Sequence, residues 1–257
     1  LTKRIWLIGG TQESAILAKA IQQANLSCLI SVTTDSAVSL YPIASSIEVI
    51  VAKFSPDQLS SFLINNQISV ILDCSHPFAV EISRIAIATA CQLKIPYLRF
   101  EREEIISPNQ SGIQYVASFE RLLSQNLLLN QRTLLTIGYR YLPLFQPWQT
   151  KAMLFARILP SQIALETALK SGFTSDRIMA FRPPISLELE RSLWQHWQIT
   201  TVVTKASGTP GGEDTKRKIA AELGIQLIIV ERPIVEYPQF TSSVSEALNF
   251  CRQFLQR

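Results

Sequence analysis

The sequence predicts an α/β protein of two similar domains in tandem, each a mainly parallel sheet of about five strands flanked by helices. Three observations lead there. Short apolar or β-branched runs alternate with stretches whose apolar residues fall at i, i+3 and i+4, and that alternation builds a parallel sheet covered on both faces. The whole series occurs twice. Its landmarks keep one spacing: the first strands end at Gly9 and Gly138, 129 residues apart, the fourth near Cys74 and Lys205, 131 apart, and the fifth near Glu101 and Glu231, 130 apart. The N-terminal domain is therefore expected over residues 1–130 and the C-terminal one over 131–257, joined near Asn130.

In the first series, strands are expected at residues 5–8, 29–32, 47–51, 70–72 and 97–98. The helical pattern between the first two is carried by Ile16, Leu17, Ala20, Ile21 and Ala24. Residues 102–112 read as a loop and 119–128 as a helix. In the second series, strands are expected at 133–137, 153–157, 178–181, 201–204 and 227–230, with helices at 162–171, 187–197, 214–223 and 244–255.

Composition narrows the function. At 47% hydrophobic and 17% charged residues, the 257-residue chain has material for real cores and too little charge for disorder. A net charge of +4 without a basic run argues against a nucleic-acid groove and suits an anionic small molecule. The four cysteines, Cys28, Cys74, Cys91 and Cys251, form no C-x-x-C pair and have no histidine at a zinc-like spacing, so no metal is expected. Cys28 and Cys91 fall in apolar elements and read as core thiols. The apolar run after LTKR is too short for a signal-peptide core, and no stretch has the length of a membrane span. A cytoplasmic protein is expected.

In open parallel sheets ligands bind beyond the carboxyl ends of the strands. Four loops stand there: GGTQES, DCSHPFA, TIGYRY and TKASGTPGGEDTK. Gly9 and Gly10 permit a sharp turn into a helix whose first N–H groups can hold a phosphate, although Gln12 and Ser14 stand where a G-x-G-x-x-G fingerprint has further glycines. Cofactor choice is read after the second strand, where Asp35 favours the ribose hydroxyls of NAD while Thr33, Thr34 and Ser36 suit the extra phosphate of NADP; Lys53 adds a positive charge. The glycine-rich stretch 208–212 follows Lys205, a partner for a phosphate or carboxylate, and Asp214 and Thr215 are candidate caps for the next helix. His76 stands at a strand mouth beside an acid, a hydroxyl and Pro77. His196, between Trp194 and Trp197, reads as a packed or capping residue. Strand–glycine–helix turns of this kind also serve nucleotide-dependent transferases and non-enzymatic nucleotide-sensing modules, which stay open as alternatives.

Over nearly the whole chain these loops resemble the precorrin-6A reductase family, which acts in the corrin branch of cobalamin biosynthesis. The resemblance is carried by IWLIGGTQES, by ILDCSHPFA (the family favours D-A-[ST]-H-P-[FY]-A), by PYLRFERE and by TKASGTPGGEDTKRKIAAELGIQLIIVERP. It implies two Rossmann-like domains with the cofactor near their cleft, and hydride transfer from NADPH to precorrin-6A or its cobalt-containing counterpart. It implies that Gly9, Gly10, Thr11 and Glu13 approach the cofactor, and that Ser75 and His76 lie near the nicotinamide or macrocycle. Lys205, Ser207 and Gly208 are expected to face them, with His76 and Lys205 as candidate proton donors. The polyanionic substrate gives a use to Arg99, Arg102, Arg140 and Arg232, since arginine forks suit carboxylates. Where the family has an A-G-R-like turn this chain has residues 35–39, and a glycine-rich stretch is replaced by Ala52, Lys53 and Phe54. Lys53 with Thr33 or Ser36 is therefore expected to take the 2′-phosphate. TIGYRY also departs from the commoner T-T-G-[RS].

Overall fold

The computed structural model describes residues 3–102, 105, 111–182 and 184–255. In chain order, β1 (Arg4–Ile8), α1 (Gln12–Gln23), β2 (Cys28–Val32), β3 (Ile47–Val51), α2 (Pro56–Asn65), β4 (Ile68–Asp73), α3 (Val80–Leu93) and β5 (Tyr97–Phe100) come first. There follow β6 (Ile113–Val116), α4 (Phe119–Ser124), β7 (Arg132–Leu135), β8 (Met153–Ile158), α5 (Gln162–Lys170), β9 (Ile178–Ala180), α6 (Leu187–His196), β10 (Thr201–Lys205), α7 (Glu213–Leu223) and β11 (Gln226–Val230). The chain ends with β12 (Phe240–Thr241) and α8 (Val244–Leu255). The expected loop over 102–112 lies largely outside the described residues.

Two six-stranded parallel sheets result, in the orders β3-β2-β1-β4-β5-β12 and β9-β8-β7-β10-β11-β6. Each is the Rossmann-like order, five strands wound outward in both directions from a central pair, with a sixth at one edge. The expected five-strand series is present in both; the sixth strands are short and were not legible. They also redraw the boundary. β6 pairs with β11, and β12 pairs with β5. The two units are accordingly Leu1–Glu103 with Pro233–Arg257, and Glu104–Arg232, in place of a single cut near Asn130. The repeat itself survives: β6 and α4 follow the first five strands as β12 and α8 follow the second five, but each pair completes the other sheet. Sequence spacing marks which segments are alike; hydrogen bonding at a sheet edge decides where each belongs.

Local chemistry sets the helix starts. Thr11 and Ser14 form a reciprocal capping box on α1, and Ser55 with Gln58 does the same on α2 behind Pro56. Ser118, Ser161 and Ser186 accept from the third residues of α4, α5 and α6. In the first unit, alternation along β1 separates two cores. Ile5 and Leu7 pack with Leu17, Ile21, Ala247 and Cys251 beneath α1 and α8, whereas Trp6 and Ile8 pack with Leu59, Leu63, Ala86 and Ala90 beneath α2 and α3. In the second unit Leu134, Val202 and Leu227 meet Trp194 and Ile219 of α6 and α7.

Three smaller expectations are corrected. Cys91 is exposed, because the buried stripe of α3 runs through Ser83, Ala86, Thr89 and Ala90. His196 is exposed in the last turn of α6, whose buried stripe is Glu190 and Trp194, so of the two readings given for it only the packed one is overturned. The N-cap of α7 is Gly212 at φ 67°, without a side-chain cap from Asp214 or Thr215. Among the described residues no helix is long and apolar enough to cross a membrane.

Candidate active site

All strands of a parallel sheet end on one side, so the first unit collects Gly9, Thr33, Lys53, Ser75 and Arg102 along one rim. The winding reverses between β1 and β4, the place at which open parallel sheets of this kind bind ligands. Ile8 lies opposite Asp73 in register. Beyond it, the Cys74 N–H donates to Ile8 O at 3.0 Å and the Thr11 hydroxyl to Cys74 O at 2.9 Å, tying the two loops together.

The first turn is more occupied than its sequence suggests. The Gly10 N–H donates to the Tyr41 hydroxyl at 2.6 Å, the Thr11 N–H to Ser14 Oγ at 3.0 Å, and the Ser14 N–H to Thr11 Oγ1 at 3.1 Å. Three of the N–H groups expected to await a phosphate thus have partners inside the protein. Gly9 is hemmed in, since an added Cβ would run into the Tyr41 hydroxyl. Gly10 is the opposite: at φ 97° it has open space where a Cβ would point, the surface against which a ligand backbone can lie closely. Glu13 pairs with Arg102 at 2.9 Å, and its Oε1 is buried with no hydrogen-bond partner among the described residues. Thr33, Ser36 and Lys53 are exposed along the adjoining strand ends, where Val32 lies opposite Val51.

At the end of β4, Asp73 is fully buried and accepts from the Ser75 N–H and Arg99 Nη1 on one oxygen and from the Ser83 and Tyr97 hydroxyls on the other. Burial pushes its carboxyl up, but the Arg99 charge and these bonds together hold it below the usual carboxylate range. Arg99 is 1% exposed and its Nε pairs with Glu101 at 2.9 Å. Its fork is therefore spent inside the protein, which corrects the expectation that it meets substrate carboxylates directly. His76 is half-buried; its Nδ1 accepts from the Phe78 N–H at 3.1 Å, so the neutral ring carries its proton on Nε2. Burial raises the Cys74 thiol to about 12, leaving it neutral and not a nucleophile.

The second unit repeats the arrangement between β7 and β10. Thr136 donates through N–H and hydroxyl to Val203 O, and the Lys205 Nζ lies 5.3 Å from the centre of the Tyr141 ring. Ser207 is buried, Gly208 has φ 69°, and the Gly208 N–H donates to Glu213 Oε2 at 2.9 Å. Glu213 is pinned in turn by Arg217, which also donates to the Tyr115 hydroxyl. Beneath the glycine loop lies Lys216, 2% exposed, donating to Gly211 O at 2.8 Å and Gly212 O at 2.9 Å. Burial first, then the nearby Arg157, lower its pKa to about 7 against Glu190, Glu213 and Asp214. Arg140 is exposed beside Tyr139, and Arg232 donates to Ala206 O at 2.9 Å.

Sequence reasoning missed Tyr41, Ser83, Tyr97 and Lys216. Asp73 and Glu213 stood inside quoted motifs and could have been weighed as loop anchors. Tyr41 carries no local signal, because its role comes from a chain reversal of some thirty residues back to Gly10.

The comparisons agree across the chain. A family model described as precorrin-6x reductase CbiJ/CobK matches residues 4–252. The cobalt-precorrin-6A reductase of Synechocystis sp. is 44% identical over 252 residues, covering 98% of this chain and 97% of that protein. That of Priestia megaterium is 28% identical, covering 95% and 96%. A solved structure of the CobK precorrin-6A reductase superimposes with a TM-score of 0.79 at 22% identity, covering 99% of this chain and 97% of that one, which is a likeness of fold.

Proposed function

We propose that this chain, which belongs to the precorrin-6x reductase family, uses NADPH to reduce one carbon–carbon double bond of precorrin-6A in its cobalt-containing form, on the route to cobalamin. The observation that carries the proposal is the switch point between β1 and β4, where a Cβ on Gly10 would meet open space and Thr11 ties the first turn to the loop of Cys74, Ser75 and His76. The cobalt form is favoured because the relatives at 44% and 28% identity are both named for it.

The residues fit a dinucleotide. Gly9, Gly10 and Thr11 shape the turn against which its diphosphate lies, and Glu13 Oε1 offers a buried acceptor to a ligand hydroxyl or amide. Thr33, Ser36 and Lys53, exposed on the neighbouring strand ends, suit the 2′-phosphate. Bound there, the cofactor supplies the hydride. The protein's part is orientation, because the reacting carbons must be held within about 3–3.5 Å of one another.

Ser75 and His76 stand beside the reacting end, His76 presenting Nε2–H when neutral. On the second unit, Lys205, Ser207 and Gly208 stand at the corresponding strand mouth, and Lys205 is a candidate proton donor. Arg102, Arg140 and Arg232 serve the acid side chains of the substrate, while Arg99 acts from behind through Asp73 and Ser75. A cytoplasmic location belongs to the same proposal.

The test is NADPH consumption with purified protein and either cobalt-precorrin-6A or precorrin-6A. Turnover with the cobalt form at the lower KM is expected. No consumption with either corrin refutes the reductase function, and equal use of NADH refutes the cofactor choice.

A further inference from the structure

The polar knot beneath the DCSHP loop has a direction built into it. Asp73 accepts from Ser83 and Tyr97 at 2.6 Å each, so the Ser83 proton is committed and its oxygen can only accept. Arg99 Nη1 carries no lone pair; it donates to Asp73 Oδ1 and to Ser75 Oγ, both at 3.0 Å. The guanidinium thus occupies a lone pair of the Ser75 hydroxyl and draws electron density from its O–H. For the Ser75 proton there remains Ser83 Oγ at 3.4 Å, far outside the about 2.7–2.8 Å usual for two hydroxyls. Ser75 is 5% exposed, just beyond the end of β4 at the switch point of the sheet.

We propose that Ser75 is a committed hydrogen-bond donor that recognises an sp² oxygen of the bound ligand, carboxamide or carboxylate, with Arg99 and Asp73 as the positioning residues that fix its polarity. The proposal rests on the reductase function and deepens it. A ligand N–H or O–H arriving at Ser75 would find one lone pair left on an oxygen already engaged by a cation, so the site favours acceptors over donors. Two parts of the reaction mixture carry the right oxygen: the nicotinamide carboxamide and the acid side chains of the corrin.

Ser75→Ala removes the donor, and Ser75→Thr keeps it. NADPH affinity is read by fluorescence titration of the protein alone, and the corrin KM by NADPH consumption with cobalt-precorrin-6A. Ser75→Ala is expected to weaken one of these constants by about tenfold, the effect of a charge-assisted hydrogen bond, and Ser75→Thr to recover most of it. Weakened NADPH binding, with the wild type also binding the thionicotinamide analogue poorly, identifies the carboxamide. A raised corrin KM at unchanged NADPH affinity identifies a carboxylate. Arg99→Lys separates positioning from folding: it weakens the same constant in the wild type and adds nothing in Ser75→Ala. If Ser75→Ala leaves both constants within about twofold, or Arg99→Lys acts equally in both backgrounds, the proposal is overturned. A wild-type chain inactive with both corrins overturns the reductase function; Ser75 is then judged on NADPH affinity alone, and an effect of Ser75→Ala under about twofold there overturns this proposal as well.

Discussion

Gly9→Ala places a methyl group where the Tyr41 hydroxyl stands. The added Cβ overlaps that hydroxyl and comes within 3.1 Å of Tyr41 Cζ and 3.0 Å of Ile30 Cγ2. Tyr41 is buried, so it cannot rotate into solvent without surrendering its bonds to the Gly10 N–H at 2.6 Å and to Ser14 Oγ at 2.7 Å. Two hydrogen bonds at about 1 kcal/mol each, with about 1–3 kcal/mol for overpacking, give a loss of about 3–5 kcal/mol. Tyr41→Phe alone removes the same two bonds and costs about 1–2 kcal/mol. It also removes the atom that clashes. The double variant is therefore expected to be less destabilised than the sum of the singles by about 2–5 kcal/mol, since the shared bonds are lost only once and the clash is relieved. Urea unfolding of the four proteins, followed by circular dichroism, closes the cycle. Additivity to within about 0.5 kcal/mol would show that the methyl group is accommodated elsewhere and refute the reasoning.

Lys53→Ala is expected to weaken NADPH binding by about tenfold or more, the loss of one charge-assisted contact, and to leave NADH binding nearly unchanged; equal effects on both cofactors contradict a 2′-phosphate contact. Asp73→Asn leaves Arg99 with Glu101 as its remaining carboxylate and takes the charged acceptor from the Ser83 and Tyr97 hydroxyls, and is expected to cost about 2–4 kcal/mol at neutral pH. Because the folded carboxyl lies below its unfolded value, the wild-type advantage is present above about pH 4 and fades as pH falls through the folded value; a gap that stays flat through the acid range contradicts it. Lys216 behaves with the opposite sign to a paired lysine. Its folded value of about 7 lies below the unfolded 10.5, so the unfolded chain binds more protons between the two and stability rises with pH there. Lys216→Met is expected to gain most relative to the wild type below pH 7, the difference narrowing toward alkaline pH. A pH-independent difference in denaturant midpoint contradicts that.

Much of the fold was legible because its signals are local. Ten strands and most helices announce themselves by apolar period, and the caps at Thr11, Ser55, Ser118, Ser161 and Ser186 stand in the sequence beside the helices they start. The sixth strands were not legible. β12 spans two residues and β6 four, too short for a period, and their identity as strands comes from the edges they meet. The site divides the same way. Placement of Gly9, Ser75, His76, Lys205 and Gly208 at strand mouths follows from where the strands end. The engagement of the first-turn N–H groups by Tyr41 and Ser14 does not.

By itself, the order of apolar and polar residues determined two wound sheets and the rims on which the polar loops gather, since backbone hydrogen bonding and burial leave few other solutions for such a pattern. Only the tertiary structure decided what each polar group is spent on. Arg99 reads as a surface fork in PYLRFERE and proves to be an interior prop, and Lys216 reads as one of a charged run and lies beneath the glycine loop. A charge in sequence carries no record of its partners; burial, which makes an unpaired charge costly, is what assigns them.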